Sequence, residues 1–392
     1  MLFRYLTLIP VQIRILFACG FMVLLARVGE LAGQDPALTR SQAESLIEEL
    51  WKSVTESMRE ELEKELNEQV IKDGTMTMKL LSREFGKTPE TGRSLYISLH
   101  GGGNTPARVN DRQWQNQIRL YQPDEGIYVA PRAPTDTWNL WHEAHIDGLL
   151  DRLILAHVLC RNVDPNRVYL MGYSAGGDGV FQLAPRTSDR WAAAAMMAGH
   201  PNETKPDGLR NLPFAIFMGG LDAAYERNKL AESWKLKLEE LAKGDEGGYP
   251  HWVKIYPDKG HWMDGLDREA LPWMAGQQRQ CWPQKIVWMQ DDVTHNRLYW
   301  LGVPSEAKAA YAVISAQVRG QTIDLNGDVA GVLLFLSDQL LDLDQPINVR
   351  WNGQDVFSGR VHRTKAAIER SLTERLDRDL AATAILELKR PE

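Results

Sequence analysis

Between Ser41 and Asn67, apolar residues recur at every fourth position on a highly charged background. This spacing places the apolar residues along one side of a helix and leaves the charges in water, so the segment is predicted to be an amphipathic helix. Ser41 and Glu44 have the spacing of a capping box, which would begin the helix at this point.

After this helix the pattern changes to short, continuous apolar runs separated by helical stretches such as Ile146–Asn162 and Ala223–Lys243. Such alternation is typical of a parallel sheet whose two faces are both covered by helices. The predicted strands are Ser94–Leu99, Gly126–Ala130, Arg167–Met171, Ala192–Ala198, Phe214–Met218 and Val253–Tyr256.

From about Lys285 the chain becomes rich in strands and turn residues, with one helix predicted at Lys365–Arg378. The pairs Asn326-Gly327 and Asn352-Gly353 favour tight turns. The overall prediction is therefore an α/β protein with a mostly parallel central sheet covered by helices and a small C-terminal β-rich domain. The predicted C-terminal strands are Tyr311–Arg319, Val332–Leu336, Ile347–Trp351, Asp355–Val361 and Ala384–Leu388.

The N-terminal residues have the pattern of an export signal. Basic residues precede the apolar run Ile15–Ala26, and the small residues Ala32 and Gly33 follow it. The run is too short for a transmembrane helix, which needs roughly 20 apolar residues. We therefore expect a signal peptide over residues 1–33 and export to the periplasm or medium, with an uncleaved membrane tether as the alternative.

Composition excludes several classes of protein. The chain is 44% hydrophobic and 25% charged, as in ordinary globular proteins, and its net charge of −7 without a basic block argues against nucleic acid binding. Three cysteines are too few for a disulfide scaffold or a thiolate metal cluster, although Cys160 and Cys281 could pair. Thirteen tryptophans require large buried faces or a binding cleft.

The strand Arg167–Met171 runs directly into Gly172-Tyr173-Ser174-Ala175-Gly176, and a helix follows soon afterwards. In this G-x-S-x-G sequence the glycines permit a turn too tight for a Cβ, and the serine is exposed at the sheet edge. The positive end of the following helix dipole would also lie beside it. Ser174 is therefore the predicted nucleophile.

A glycine-rich loop follows the strand Ser94–Leu99. It begins with His100 and continues with Gly101, Gly102 and Gly103, whose backbone N–H groups no side chain shields. An oxyanion hole uses such groups together with the N–H of the residue after the nucleophile, here Ala175. We expect the three glycines and Ala175 to form this hole, with His100 as a structural member of the loop.

A serine hydroxyl needs a histidine base that is oriented by a carboxylate. His261 follows the last strand of the α/β segment, from where it can reach back over the sheet edge, and Asp222 follows the strand between Ser174 and His261. The order Ser, Asp, His along the chain is that of α/β-hydrolases. The other candidates are His200 for the base and Glu226 and Asp264 for the acid.

On these motifs, residues of about 75–280 resemble the α/β-hydrolase superfamily, and within it the exported bacterial esterases of the poly(3-hydroxybutyrate) depolymerase and feruloyl esterase type. The resemblance implies the α/β-hydrolase fold and hydrolysis of carboxylic esters through an acyl-enzyme. The C-terminal segment does not resemble a polymer-binding module, and no cysteine lies near the motifs, which argues against insoluble polyester as the substrate. The motifs are His100–Asn104, Asp164–Leu170 leading into Gly172–Gly177, Gly220–Asp222 and Gly260–Trp262.

Aromatic residues near these motifs are candidates for a substrate pocket. Trp138 and Trp141 follow the strand Gly126–Ala130, Trp262 lies opposite, and Tyr173 adjoins the nucleophile. They would form the wall of an acyl or sugar pocket, with burial in the core as the alternative. Two histidines of the same loop lack the spacing of a zinc motif, so no metal and no cofactor is expected.

The sequence thus predicts a serine esterase that acts on small-molecule or oligomeric esters, without nucleic acid and, after signal cleavage, without a membrane as partner. The alternatives are a peptidase of the prolyl-oligopeptidase type, which would need a larger N-terminal domain, and a non-catalytic hydrolase-like binding protein. The predicted segments are a signal peptide at 1–33, a helical extension at 34–74, a catalytic domain at 75–284 and a β-rich domain at 285–392, which either packs on the hydrolase or binds surfaces or carbohydrate.

Overall fold

The computed structural model describes residues 36–391. The expected signal peptide at 1–33 lies outside these residues. Within the described part of the chain, the helices are too short or too polar to cross a bilayer.

The first sheet has eight strands in the order β1-β2-β4-β3-β5-β6-β7-β8, and β3 to β8 run parallel to one another. All six strands predicted for the α/β segment are present. The structure adds an antiparallel hairpin, β1 and β2, at the edge beside β4. The strands are β1 (Val70–Asp73), β2 (Met76–Phe85), β3 (Arg93–Leu99), β4 (Gly126–Pro131), β5 (Val163–Tyr173), β6 (Ala193–Met197), β7 (Phe214–Gly219) and β8 (His251–Tyr256).

Most of the α-helices pack against this sheet or lie next to its edges. The bounds of the helices that the sequence predicts largely match those of the structure. The helix predicted at Ala223–Lys243 begins later, because Tyr225 and Glu226 have left-handed backbone with φ of 53° and 57°. The helices are α1 (Arg40–Asn67), α2 (Ala107–Leu120), α3 (Ala144–Cys160), α4 (Ala175–Arg186), α5 (Arg227–Gly244), α6 (Ala270–Ala275) and α7 (Lys365–Arg375).

Helix α1 begins with a different cap from the predicted one. The Thr39 hydroxyl accepts the N–H of Gln42, and the Gln42 side chain accepts the N–H of Thr39. The capping box is therefore Thr39 and Gln42, two residues before the predicted pair of Ser41 and Glu44. Both pairs have the residue types and spacing of a capping box. The observed pair lets helix α1 begin at Arg40, and the rest of the helix lies where it is predicted.

The C-terminal strands form two further sheets, in the orders β16-β15-β13-β12-β9 and β10-β11-β14-β17. Residues of both sheets share one hydrophobic cluster that includes the buried Trp288, Trp300 and Trp351. The strands are β9 (Lys285–Met289), β10 (Arg297–Leu298), β11 (Leu301–Gly302), β12 (Val313–Arg319), β13 (Thr322–Gly327), β14 (Gly331–Leu336), β15 (Ile347–Trp351), β16 (Gln354–Gly359) and β17 (Ala384–Lys389).

A buried carboxylate connects the part of the chain that contains the eight-stranded sheet to these later elements. Asp189, which precedes β6, is fully buried and accepts the N–H of Tyr299 at 2.8 Å. Its Oδ1 lies 2.8 Å from the guanidinium of Arg375 on α7 and 3.4 Å from that of Arg190. Burial alone would raise the pKa of Asp189, but the charges of Arg375 and Arg190 outweigh it and lower the pKa to about 2.

This arrangement predicts that the contact of α7 with Asp189 stabilises the part of the chain that contains the eight-stranded sheet. Replacing Arg375 with methionine leaves the buried carboxylate with the Tyr299 N–H and one more distant cation, Arg190, so urea denaturation should show a loss of about 3 kcal/mol in the free energy of unfolding. The matched control is Arg378→Met, because Arg378 pairs with Glu48 at 3.5 Å on the surface. That variant should change stability by less than about 1 kcal/mol. Equal effects of the two substitutions would show that the buried pair is not what holds α7.

Candidate active site

The turn between β5 and α4 holds Ser174 in a backbone conformation that is rare for residues with a side chain, with φ of 58° and ψ of −123°. A Cβ on Gly172 would lie 2.2 Å from the carbonyl oxygen of Gly176, and one on Gly176 would lie 2.0 Å from that of Leu99. The Ser174 N–H donates to the carbonyl of Met197 on β6 at 2.9 Å. Strand, turn and helix therefore fix this serine at the carboxyl edge of the parallel strands.

Ser174, His261 and Asp222 form a continuous hydrogen-bonded array. Nε2 of His261 lies 3.0 Å from Oγ of Ser174, and Nδ1 lies 2.7 Å from Oδ2 of Asp222. The carboxylate can only accept, so Nδ1 carries the proton and Nε2 faces the serine as an acceptor. The Asp222 side chain is 2% exposed and that of His261 is 45% exposed. The acid is thus shielded from water, whereas the base can reach a substrate.

The loops that carry the acid and the base hold each other in place. A Cβ on Gly219 would lie 2.0 Å from the carbonyl oxygen of Gly260, which explains why glycine ends β7. The Leu221 N–H donates to the Lys259 carbonyl at 2.8 Å. The two loops therefore form one unit, and the separation of Asp222 from His261 follows from backbone contacts.

Two of the predicted oxyanion-hole groups lie beside the serine. A Cβ on Gly101 would lie 3.1 Å from Cβ of Ser174, so this backbone packs directly on the nucleophile. Ala175 is the first residue of α4, and its N–H has no acceptor within the helix. The N–H groups of Gly101 and Ala175 are therefore the best candidates to receive a negative charge at this edge.

Gly103 has a different part in the loop, and Gly102 packs against the same neighbouring side chain. The N–H of Gly103 donates to Oδ1 of Asn110 at 3.0 Å, so it is not available to a substrate. A Cβ on Gly102 would lie 2.2 Å from the same oxygen, and Gly102 has φ of 114°. The expectation that all three glycines donate to the oxyanion is corrected for Gly103, because a buried amide on α2 takes its N–H. Asn110 carries no local sequence signal for this role.

His100 is buried beneath the glycine loop. Its Nδ1 donates to the Gly101 carbonyl at 2.6 Å, and its Nε2 accepts the N–H of Ala133 at 3.1 Å. Burial lowers the pKa of His100 to about 4, so the ring is neutral at pH 7. His100 is thus a structural member of the loop that orients Gly101.

The predicted pocket aromatics divide into exposed and buried groups. Trp138 and Trp262 are 62% and 51% exposed, and each lies on a loop at the edge where Ser174 is found. Trp141 is fully buried, and its indole N–H donates to the His100 carbonyl at 3.0 Å. The prediction that Trp141 lines the pocket is therefore corrected, because this ring is part of the core that supports the glycine loop.

Tyr173 is nearly buried and connects Ser174, its neighbour in the chain, to the loop that carries His261. Its hydroxyl donates to the His261 carbonyl at 2.7 Å and accepts the N–H of Met263 at 3.1 Å. Burial raises the pKa of Tyr173, so the hydroxyl keeps its proton. The residue before Ser174 in the chain thus fixes the loop that carries His261, and it is a positioning residue rather than a pocket wall.

The alternative candidates for the base and the acid interact with other residues. The ring Nδ1 of His200 accepts the N–H of Asn202 at 2.9 Å. Glu226 pairs with Lys229 and Asp264 pairs with Lys259 on the surface. The carboxylate bound to His261 is that of Asp222.

The buried, neutral His100 predicts a dependence of stability on pH. Its folded pKa of about 4 is below the ordinary 6.5, so its contribution is complete above pH 6.5 and is lost as the pH falls toward 4. At pH 4.5 the wild type should have lost about 2.5 kcal/mol of this contribution relative to pH 7. His100→Gln keeps a polar group but cannot be protonated, so its free energy of unfolding in urea should fall less over this range. An equal fall in both proteins would contradict the assignment.

The sequence model of the dienelactone hydrolase family matches residues 120–291, which is less than half of the chain but contains Ser174, Asp222 and His261. No curated protein matches the chain. Among solved structures, the chain is similar to a thermostable esterase, with 21% identity over 54% of this chain and 62% of that one, at a TM-score of 0.38. It thus spans less than two thirds of that esterase.

Two further structures are similar to this chain. A ferulic acid esterase is 16% identical over 51% of this chain and 99% of its own, at a TM-score of 0.32. A carboxylesterase of Bacillus cereus is 15% identical over 50% of this chain and 93% of its own, at a TM-score of 0.38. The family match, together with the parallel sheet and the turn at Ser174, shows that this part of the chain has the α/β-hydrolase fold, and residues 120–291 are similar to the dienelactone hydrolase family.

Proposed function

We propose that the protein is a serine esterase that cleaves carboxylic esters through an acyl-enzyme on Ser174. The observation that carries this proposal is the array in which His261 contacts both Ser174 at 3.0 Å and the buried Asp222 at 2.7 Å. A serine that is hydrogen-bonded to a histidine, which is in turn oriented by a carboxylate, is the arrangement that activates a hydroxyl at neutral pH.

In the first step, Oγ of Ser174 attacks the ester carbonyl while Nε2 of His261 takes the hydroxyl proton. The negative charge that forms on the carbonyl oxygen is received by the N–H groups of Gly101 and Ala175, at the positive end of α4. Asp222 stabilises the imidazolium, which then gives its proton to the departing alcohol. The carbonyl reforms as an ester on Ser174.

In the second step, water replaces the alcohol and the same groups act in reverse order. His261 takes a proton from the water as it attacks the acyl group, and the same N–H groups receive the second oxyanion. The imidazolium returns the proton to Oγ of Ser174, and the carboxylic acid leaves. Because His261 is 45% exposed, water can reach it once the alcohol has gone.

The surface around Ser174 favours an ester with apolar or aromatic groups. Trp138 and Trp262 are exposed on two of the loops at this edge, and Leu221 and Tyr225 are exposed on the loop that carries the acid. Exposed aromatic rings in a group provide flat apolar surfaces for a ligand. We propose small-molecule or oligomeric esters as substrates, and export of the mature protein by residues 1–33.

Two alternative functions are less well supported. A non-catalytic binding protein would not require the serine, the histidine and the buried acid to be in contact, as they are here. A peptidase would use the same array on an amide, whose amine is a poorer leaving group than an alcohol. The substrates used in the test below distinguish an esterase from a peptidase.

Covalent labelling tests the nucleophile and the class of reaction. A fluorophosphonate reacts with a serine that has both a base and an oxyanion hole, so the protein should be labelled once and Ser174→Ala should not be labelled. Ser305→Ala, which removes an exposed serine of the C-terminal region, is the matched control and should be labelled normally. Labelling of the folded Ser174→Ala variant, or none of the folded wild type at pH 8, would overturn the proposal.

The same preparation should hydrolyse p-nitrophenyl acetate, butyrate and octanoate and methyl ferulate faster than a proline-containing amide. The wild type and the Ser174→Ala variant are compared on each substrate, so that contaminating activity is subtracted. Faster cleavage of the amide than of every ester would favour the peptidase.

Tyr173→Phe tests whether the tyrosine positions the base. The variant loses the hydrogen bonds to the His261 carbonyl and from the Met263 N–H, each worth about 1 kcal/mol. We expect kcat to fall about tenfold with little change in KM, because His261 is misplaced while the substrate surface remains. Tyr225→Phe, at an exposed tyrosine nearby, is the control and should retain wild-type kcat. An effect on KM alone would instead make Tyr173 a binding residue.

A further inference from the structure

The segment that follows His261 in the chain is buried at two points. Met263 is fully buried, and its N–H donates to the Tyr173 hydroxyl at 3.1 Å. Asp264 and Gly265 then have left-handed backbone, with φ of 55° and 69°, and turn the chain sharply. Asp267 comes after this turn and is 1% exposed. A buried carboxyl group thus follows Met263 after a single turn.

This carboxyl group receives a hydrogen bond from a distant part of the chain. The hydroxyl of Tyr121 donates to Oδ2 of Asp267, and both residues are almost fully buried. Burial raises the pKa of Tyr121, so the hydroxyl keeps its proton and is the donor. Oδ1 of Asp267 is buried and has no hydrogen-bond partner within the described residues. The position of this carboxyl group therefore depends on Tyr121.

Tyr121 directly follows helix α2, which is fastened to the eight-stranded sheet. The Gln117 side chain on this helix donates to Oγ of Ser98 on β3 at 2.8 Å. The indole N–H of Trp114 donates to the Ala130 carbonyl on β4, also at 2.8 Å. Because β3 and β4 belong to the same sheet as β5, whose end carries the proposed nucleophile, Tyr121 has a fixed position relative to that nucleophile.

The rest of the segment has few buried contacts. His261, Trp262, Asp264 and Leu266 are all exposed. A stretch of chain with few buried contacts opens locally unless it is held from both sides. Nε2 of His261 must nevertheless stay close to Oγ of Ser174, from which it lies 3.0 Å away. The position of this ring therefore depends on the buried residues before and after the turn.

We propose that Asp267 and Tyr121 are positioning residues for His261. Their hydrogen bond fixes the end of the segment after the turn, as the Tyr173 hydroxyl fixes the end before it. They act through the backbone of the segment and not on the substrate. Without their bond, His261 would spend less time within hydrogen-bonding distance of Ser174, and the reaction would slow. The inference rests on the proposed esterase function, because it concerns the base of that reaction.

Tyr121→Phe tests the proposal, because it removes the hydroxyl and keeps the ring. With p-nitrophenyl butyrate, kcat of the folded variant should fall about tenfold while KM changes by less than about twofold, since the base is misplaced and the substrate surface is retained. The rate constant of fluorophosphonate labelling at Ser174 should fall by the same factor.

Tyr299→Phe is the matched control. Tyr299 is as buried as Tyr121, and its hydroxyl donates to the Ser188 carbonyl at 3.1 Å in another part of the fold. This variant should lose stability in urea but keep wild-type kcat, because its hydrogen bond does not hold the His261 segment. An equal fall of kcat in both tyrosine variants would show an effect of general stability and would overturn the proposal.

Substitutions at Asp267 separate a positioning role from a purely structural one. Asp267→Asn keeps an oxygen that accepts from Tyr121, so its kcat should stay within about threefold of the wild type. Asp267→Leu removes the acceptor, and adding Tyr121→Phe to it should lower kcat no further, because both substitutions remove the same bond. Wild-type kcat in folded Tyr121→Phe and folded Asp267→Leu would overturn the inference and leave the esterase function standing. A folded wild type that is neither labelled nor active on esters would overturn both.

Discussion

Helix α4 begins so close to the ends of strands β5 and β3 that no side chain fits at Gly172 or Gly176. This close approach holds Ser174 in its rare backbone conformation, with Oγ 3.0 Å from Nε2 of His261. It also places the first N–H of the helix beside the serine, where a negative charge would form in an ester cleavage. The proposed nucleophile and the proposed oxyanion site therefore depend on one backbone constraint, at a strand that pairs with a parallel strand on either side.

The remaining groups are supplied by loops that contact one another as well as the serine. The Asp222 and His261 loops touch through Gly219 and Gly260, and Tyr173, the residue before Ser174, holds the His261 loop by a hydrogen bond to its backbone. His100 orients Gly101 from below with a neutral ring. Because each loop follows the carboxyl end of a parallel strand, all of them meet at one edge of the sheet. The fold thus determines which groups can meet, and backbone contacts determine their separation.

The sequence predicts the parts of this site that depend on local pattern. Continuous apolar strands, the G-x-S-x-G turn and the positions of Asp222 and His261 after strands can be read from neighbouring residues, and the structure brings Ser174, Asp222 and His261 into contact. The later start of α5 follows from left-handed backbone at Tyr225 and Glu226, residue types that carry no helix-breaking signal. The hairpin of β1 and β2 lacks a continuous apolar run, because much of it faces solvent.

Long-range contacts could not be predicted in this way. The indole N–H of the buried Trp141 donates to the His100 carbonyl, so the ring belongs to the core. The Gly103 N–H donates to the Asn110 side chain, so it is not available to a substrate. In each case the neighbour that decides the role of a residue lies on another element. Composition and spacing cannot identify such a neighbour.

The most direct test of the central claim is the covalent intermediate itself. An aryl dimethylcarbamate transfers its carbamoyl group to an activated serine, and the product is hydrolysed much more slowly than an ester, so it accumulates. After incubation and acid quenching, peptide mass spectrometry should find one carbamoyl group per chain, on the peptide that contains Ser174. A carbamoyl group on another residue, or none on a protein that hydrolyses p-nitrophenyl esters, would contradict the account.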